Sequence, residues 1–443
     1  MASNMDMSAF SKAGDLKKRL MFTILALIVF RLGTFIPLPG IDPKILGDIF
    51  SKNSGGILGM FNMFAGGALE RMTIFALNIM PYISASIIIQ LGQSVIPSLA
   101  AMKKEGEAGH RRITQYTRYL TVLITIVQGY GIAVGLEGMT GGAGLSAVIN
   151  PGFVFRFTTI VSLVGGTMFI VWLGEQITAR GVGNGSSLII TVGIIANIPT
   201  ALAQTFELGR VGSMSMSTIL MLVVMAFALI YVIILVERAQ RKIIIQYPKR
   251  QMGGRMASPE NSHLPLKINP TGVIPPIFAS SLLLLPITIA NLSAENGPAW
   301  VQYLSQHLAH GQPMYLALYS FLIIFFAFFY TAVVFNPDDT AENLKKHGGF
   351  IAGIRPGKNT AEYLDYVITR LTVLGAFYLT SLCILPEILI DRLHVPFVLG
   401  GTTLLIVVQV TMDFVNQVQS HLIAYQYESL IKKAQLVNKK KKR

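Results

Sequence analysis

The chain has almost no cysteine and little charge. Cys383 is its single cysteine, which excludes an intramolecular disulfide framework and a Cys-cluster zinc site. It lies in an apolar stretch, where a small buried hydrophobe is the expected role. The seven His show no H-E-x-x-H or comparable spacing; His307 and His310, three apart in a polar loop, read as solvated surface. Charged residues make up 13% and hydrophobic ones 52% of 443 residues, and mean hydropathy is +0.57. A soluble domain carries about 25% charged residues. The composition excludes a single soluble enzyme domain and is that of an integral membrane protein.

What is present is a series of long apolar runs. A helix needs about twenty apolar residues to cross a hydrocarbon core roughly 30 Å thick. Ten segments qualify: Leu20–Pro37, Phe75–Val95, Tyr119–Leu136, Phe153–Leu173, Ser187–Leu202, Ile219–Val236, Gly272–Leu292, Tyr315–Phe335, Leu371–Leu389 and Phe397–Phe414. Backbone groups in lipid must be satisfied within the segment, so these are helices, and no barrel-type alternation is present. The first follows Lys17-Lys18-Arg19 but continues into Gly33–Pro39, so it reads as a retained helix rather than a signal peptide. With ten spans, 29 of the 36 Lys and Arg fall on the side of the amino terminus. The positive-inside rule then places both termini in the cytoplasm.

Five spans per half is an odd number, so similar halves would insert in opposite orientations as an inverted repeat. The halves are residues 1–210 and 211–443. The second span of each carries a matching proline interruption, Asn78-Ile79-Met80-Pro81-Tyr82-Ile83 and Gly272-Val273-Ile274-Pro275-Pro276-Ile277. Each is a bend or a helix start, and such pairs point to a functional centre.

Three kinds of segment lie outside the spans. Ile57–Ala68 is apolar but too short to cross, leaving a surface-lying and an inserted helix both open; Gly66-Gly67 would end it and give a hinge. Two long basic loops are cytoplasmic. The first, 237–269, holds Arg238, Arg241, Lys242, Lys249, Arg250, Arg255 and Lys267. Within it Lys242–Tyr247 reads as a short strand bounded by Pro248. The second, 336–370, holds Lys345, Lys346, Arg355, Lys358 and Arg370 among acidic residues. Such loops meet anionic lipid or dock a large anionic partner such as ribosomal RNA. Finally, Arg180–Gly185 lacks the spacing of a nucleotide-binding loop. It reads as a turn with Asn184 or Ser186 capping the fifth span.

Charge is scarcest inside the spans. The second, third, fifth, sixth, seventh and eighth contain no Asp, Glu, Lys or Arg. Arg31 and Arg156 lie near ends, where they snorkel or face the bundle; Glu387 and Asp413 lie near edges. A coupled transporter would keep carboxylates, His or paired charges near mid-bilayer. No catalytic constellation, metal site or cofactor site is expected, and the broken helices alone leave an inverted-repeat secondary transporter as the alternative.

From about Leu16 to Leu430 the chain resembles the SecY family, the channel-forming subunits of the bacterial protein-export translocon. The matching stretches are Phe61-Asn62-Met63-Phe64 with Gly66-Gly67-Ala68-Leu69, Ile79–Gln90, Lys103–Glu107, Trp172–Thr178, His263–Lys267, Gly353–Gly357 and Gln426-Tyr427-Glu428. The resemblance implies an all-α membrane protein, two inverted five-helix halves around an hourglass pore. The constriction would fall on Ile79, Ile83, Ile190, Ile277 and Ile406, whose branched side chains exclude water and ions by dewetting. The segment 57–71 would be the plug, including Met60, Phe61, Asn62, Met63, Phe64, Gly66 and Gly67. A lateral gate would lie between spans two and seven. Arg355, with Arg241, Lys242, Lys249 and Arg250, would dock the ribosome and the SecA motor ATPase, which supply the energy; SecE and SecG would be membrane partners. Substrates would be signal-sequence-bearing polypeptides, and the location the bacterial cytoplasmic membrane. Three positions depart from the family pattern: Asn78 stands where Gly is expected, Gln409 follows Ile406 in a run expected to be apolar, and Lys242 replaces Arg, losing a planar fork.

Overall fold

The computed structural model describes residues 14–42, 45–47, 66–138, 146–212, 215–247, 251–252, 255–256, 261–293, 312–393 and 400–441. In chain order these form α1 (Gly14–Gly33), α2 (Met80–Val95), α3 (Pro97–Lys104), α4 (Glu107–Gly138), α5 (Phe153–Arg180), α6 (Gly185–Arg210) and α7 (Met216–Arg238). Strands β1 (Gln240–Gln246), β2 (Gln251–Met252), β3 (Arg255–Met256) and β4 (Asn261–Lys267) follow. Then come α8 (Ile274–Ser293), α9 (Pro313–Val334), α10 (Pro337–Lys346), β5 (Phe350–Ile351), α11 (Lys358–Leu393) and α12 (Gly401–Lys441). Among the described residues six helices are long and apolar enough to cross a membrane, seven if the bent α2–α3 pair is one span. Each of the ten apolar segments falls on one helix: α1, α2, α4 to α9, α11 and α12.

Several boundaries differ from those read in the sequence, and two of them bear on the candidate site. Helix α1 ends at Gly33 rather than Pro37; residues 34–35 turn, and Pro37 forms a β-bridge with Thr73. Helix α2 begins at Met80 rather than Phe75, with Pro81 in its first turn, where a missing N–H is not needed. Residues 74–79 turn instead, and Asn78 takes φ +49°. Ile79, assigned to the interior of the span, therefore sits at the helix N-cap. Helices α2 and α3 meet at 97° because Ile96, ahead of Pro97, is extended.

The chain divides into two compact units, one of Met1–Gln204 with Ile406–Arg443, the other Thr205–Leu405. In the first, α1 packs on α5, and α4 packs on both α2 and α5. Its core includes Leu38, Met72, Ala133, Phe155 and Leu163. A Cβ on Gly166 would lie 2.0 Å from the Ile74 carbonyl oxygen, so only glycine permits this approach. On the buried side of α4, the hydroxyls of Thr117, Thr121 and Thr125 each donate to the carbonyl four residues back, at 2.9, 2.7 and 2.7 Å. These bonds bury polar atoms without an outside partner. Cys383, in the second unit, is buried as expected.

In that second unit α9 packs on α8 and α11, with Phe278 edge-on to Phe326 at 5.6 Å. The expected strand is present as β1. It pairs antiparallel with β4, Arg241 opposite Leu266 and Lys242 opposite Pro265, and with β5 through Ile245 and Ile351. The two basic loops, distant in sequence, thus share one three-stranded sheet. Alternation along β1 buries Ile243 and Ile245, and Ile243 packs in a core with Leu266, Ile351, Leu364, Val367 and Ile368. Burying such a side chain is worth roughly 1.5–3 kcal/mol.

Candidate functional site

Around the first proline-interrupted helix the backbone is unusually contorted. Gly66 and Gly67 take φ +69° and +79°, as a hinge requires. Arg31 Nη1 donates to the Gly66 carbonyl at 2.7 Å, and Arg31 and Arg71 both lie over the Phe35 ring. A Cβ on Gly66 would stand 3.1 Å from Gly193 Cα of α6. Leu38 N donates to Met72 O at 2.9 Å and Ile74 N to Ile36 O at 3.1 Å. The segment following the short apolar run is therefore tied to α1 and seated against α6. Met60, Phe61, Asn62, Met63 and Phe64 lie outside the described residues. Met72 at φ +43° and Asn78 at +49° occupy the left-handed region, which explains why glycine suits position 78.

Ile79 and Ile83 are one helical turn apart, with Ile83 N donating to Ile79 O at 3.1 Å. Ile190 lies on α6 and Ile406 on α12; these four belong to the first unit, Ile277 on the first turn of α8 to the second. Ile79, Ile190 and Ile406 are buried, while Ile83 and Ile277 are half-buried. Gln409, half-buried, has a side-chain oxygen shielded from solvent without a hydrogen bond. In the first unit a cavity of about 370 Å³ has a mixed lining, with Asn184, Asp413 and Gln417 on it beside Leu188, Val410 and Phe414. Its rim is the expected turn: Asn184 Oδ1 caps α6, accepting from Ser186 N at 3.1 Å and Ser187 N at 3.4 Å. Gly183 N donates to Gln417 Oε1 at 2.8 Å.

On the sheet, Arg241 and Lys242 are exposed. Arg355 is exposed four residues beyond β5, in a turn with Gly353 at φ +83° and Gly357 at +111°. Its carbonyl accepts from Thr360 Oγ1 at 3.0 Å, and neighbouring Ile354 packs on the core beneath the sheet. The sheet and this turn bring the second loop's Arg355 into the same unit as Arg241 and Lys242; Lys249 and Arg250 fall outside the described residues.

Among the ion pairs that sequence reasoning missed, two join α4 to α5. Arg118 grips Glu175 through two nitrogens, at 3.0 and 2.6 Å, joining α4 to α5. Arg156, expected to snorkel or face the bundle, instead binds Glu137 at 2.6 Å, and Glu137 also accepts from Gly152 N at 3.0 Å. Glu137 and Arg156 stand at facing ends of consecutive helices, a signal that was legible.

The SecY family model matches residues 73–415. Three relatives, each named as a protein translocase subunit SecY, align over almost their whole length. That of Escherichia coli K12 is 56% identical over 430 residues, covering 97% of both chains. Those of Rickettsia bellii and Vibrio cholerae are 53% and 52% identical, each covering 97% of this chain and 99% and 97% of their own. Among solved structures, one described as a protein-conducting channel superposes with a TM-score of 0.67 at 16% identity, covering 93% of each chain. Sec61 in a canine ribosome–channel complex gives 0.63 at 15%, again over 93% of both. At such identities these two show the shared fold alone.

Proposed function

The chain belongs to the SecY family of protein translocase subunits, and from that premise we propose how its parts divide the work. Its function is that of a protein-conducting channel subunit in a membrane, passing secretory polypeptides across and releasing membrane segments sideways. The observation that carries this is the 56% identity spanning 97% of this chain and of its Escherichia coli relative. No observation favours the secondary-transporter alternative.

In the proposed division, residues 1–210 and 211–443 are the inverted halves, a repeat relation distinct from the compact units. Ile79, Ile83, Ile190, Ile277 and Ile406 form the dewetted constriction. The segment 57–71 is the plug, with Gly66 and Gly67 as its hinge; their positive φ and the Arg31 anchor support that reading. The lateral gate uses α2 and α8. Arg355, Arg241, Lys242, Lys249 and Arg250 dock SecA and the ribosome on the cytosolic face. SecE and SecG complete the membrane complex, and anionic lipid meets the basic loops. The chain catalyses no reaction of its own and sits in the bacterial cytoplasmic membrane with both termini cytoplasmic.

The test is reconstitution with SecE and SecG in vesicles. Addition of SecA and ATP is expected to drive uptake of a signal-bearing precursor into a protease-protected state. Solute uptake without any cytosolic partner, and no precursor protection, would overturn the reading.

A further inference from the structure

The last turn of α7 holds a glutamate that the channel mechanism has not used. Glu237 is only 5% exposed, and its Oε1 accepts from Asn269 Nδ2 at 2.7 Å. Asn269, 1% exposed, stands in the link between β4 and α8. The same amide nitrogen donates to Gly272 O at 3.2 Å, and Asn269 Oδ1 accepts from Thr271 Oγ1 at 3.0 Å. One asparagine thus joins the end of α7 to the turn that launches α8.

The cluster is also continuous with the sheet. Ile268 N donates to Ala239 O at 3.2 Å, and Gln240 pairs with Lys267 as the first rung of β1–β4. Helix α11 closes it from behind. A Cβ on Gly375 would lie 3.2 Å from Ile268 O and 3.5 Å from Asn269 Oδ1. Gly272 at φ +62° then reverses the chain before Pro275 and Pro276 begin α8. Leaving any member of a buried polar set without its partner is strongly unfavourable, so α7, the sheet and the start of α8 are held as one piece.

We infer that Glu237 and Asn269 are positioning residues that tie the first turn of α8 to the basic sheet, so that α8 shifts only when the sheet is engaged. This rests on the reading of α8 as a gate helix and the sheet as a docking surface. Breaking the tie frees α8 without a partner's signal and leaves the exposed docking side chains untouched.

The experiment compares Glu237→Ala, Glu237→Gln, Asn269→Ala and Thr271→Val in the vesicle assay, using precursors with and without a functional signal sequence. Loss of one hydrogen bond to a carboxylate corresponds to about a tenfold change in an equilibrium. Glu237→Ala and Asn269→Ala should therefore raise signal-independent export relative to signal-dependent export by about that factor. SecA affinity should stay unchanged. Thr271→Val, which keeps the side-chain volume, should show a smaller change in the same direction. Glu237→Gln, which keeps the acceptor, should restore signal dependence, and the double alanine variant should be no worse than the worse single one.

The inference fails if Thr271→Val and either alanine variant, melting like the parent protein, keep its signal dependence. It fails equally if Glu237→Gln matches Glu237→Ala. A fall in SecA affinity would make the cluster part of the docking surface and overturn the inference. Arg355→Glu serves as the control: normal export in that variant defeats the docking reading, whereas the signal-dependence ratio bears on the tie.

Discussion

Arg355→Glu is expected to abolish SecA-driven export while the protein inserts and folds normally. The two halves of that expectation come from different parts of one short turn. Ile354 is seated on the core formed by Ile243, Leu266, Ile351 and Leu364, and Thr360 bonds the Arg355 carbonyl. The backbone is therefore fixed by groups that the substitution leaves alone. The guanidinium itself is exposed, so its removal opens no cavity. Arginines at interface centres dominate binding, and reversing one should weaken the partner roughly 30- to 1,000-fold. Binding of SecA to vesicles at several salt concentrations, followed by precursor uptake, checks this. Lysine at the same position should be intermediate, because it keeps the charge but loses the planar fork. Normal export by the Glu variant would move the docking site away from the Gly353–Gly357 turn.

The second large effect is expected from replacing Ile83 and Ile277 together with Gly. Of the five isoleucines these two are half-buried, whereas Ile79, Ile190 and Ile406 are buried. Removing the half-buried pair disturbs packing least and the constriction most. An Ile side chain contributes about 1.5–3 kcal/mol of apolar transfer. Losing even half of the upper value from a dewetting barrier should raise resting ion passage roughly tenfold. Single-channel recording in planar bilayers, without precursor or partners, is the measurement. An unchanged resting conductance in a protein that still exports would remove both residues from the constriction.

Much of this architecture was legible because lipid leaves few choices. Each apolar run became a helix, since no other backbone state satisfies its polar groups there. Ends were less legible where helices continue into polar sequence. Helix α4 starts at Glu107, well before its apolar run, and Glu107 pairs with Arg111 one turn on at 2.8 Å. At the other extreme, α2 starts late because positions 74–79 turn under the constraints of Asn78 and Pro81. Strand β1 was readable from its β-branched residues, but β4, interrupted by Pro265, was not. Its pairing with β1, and that of β5, depends on contacts no local pattern encodes. The Glu237–Asn269 tie was hidden for a similar reason. A glutamate ending an apolar helix beside Arg238 looks like a solvated terminus, and only the fold shows it buried. The Glu137–Arg156 pair was legible from its place at facing helix ends but was passed over because Arg156 was read as snorkelling or facing the bundle. Nothing local in the sequence couples Arg118 to Glu175, 57 residues on.

Photocrosslinking from a probe at position 83 tests the central claim most directly. A secretory precursor stalled during export in reconstituted vesicles should crosslink efficiently to that probe, and the crosslink should depend on both the signal sequence and SecA. A precursor that is exported but never crosslinks from position 83 would show that its path bypasses Ile83. The constriction, and the channel account built on it, would then be contradicted.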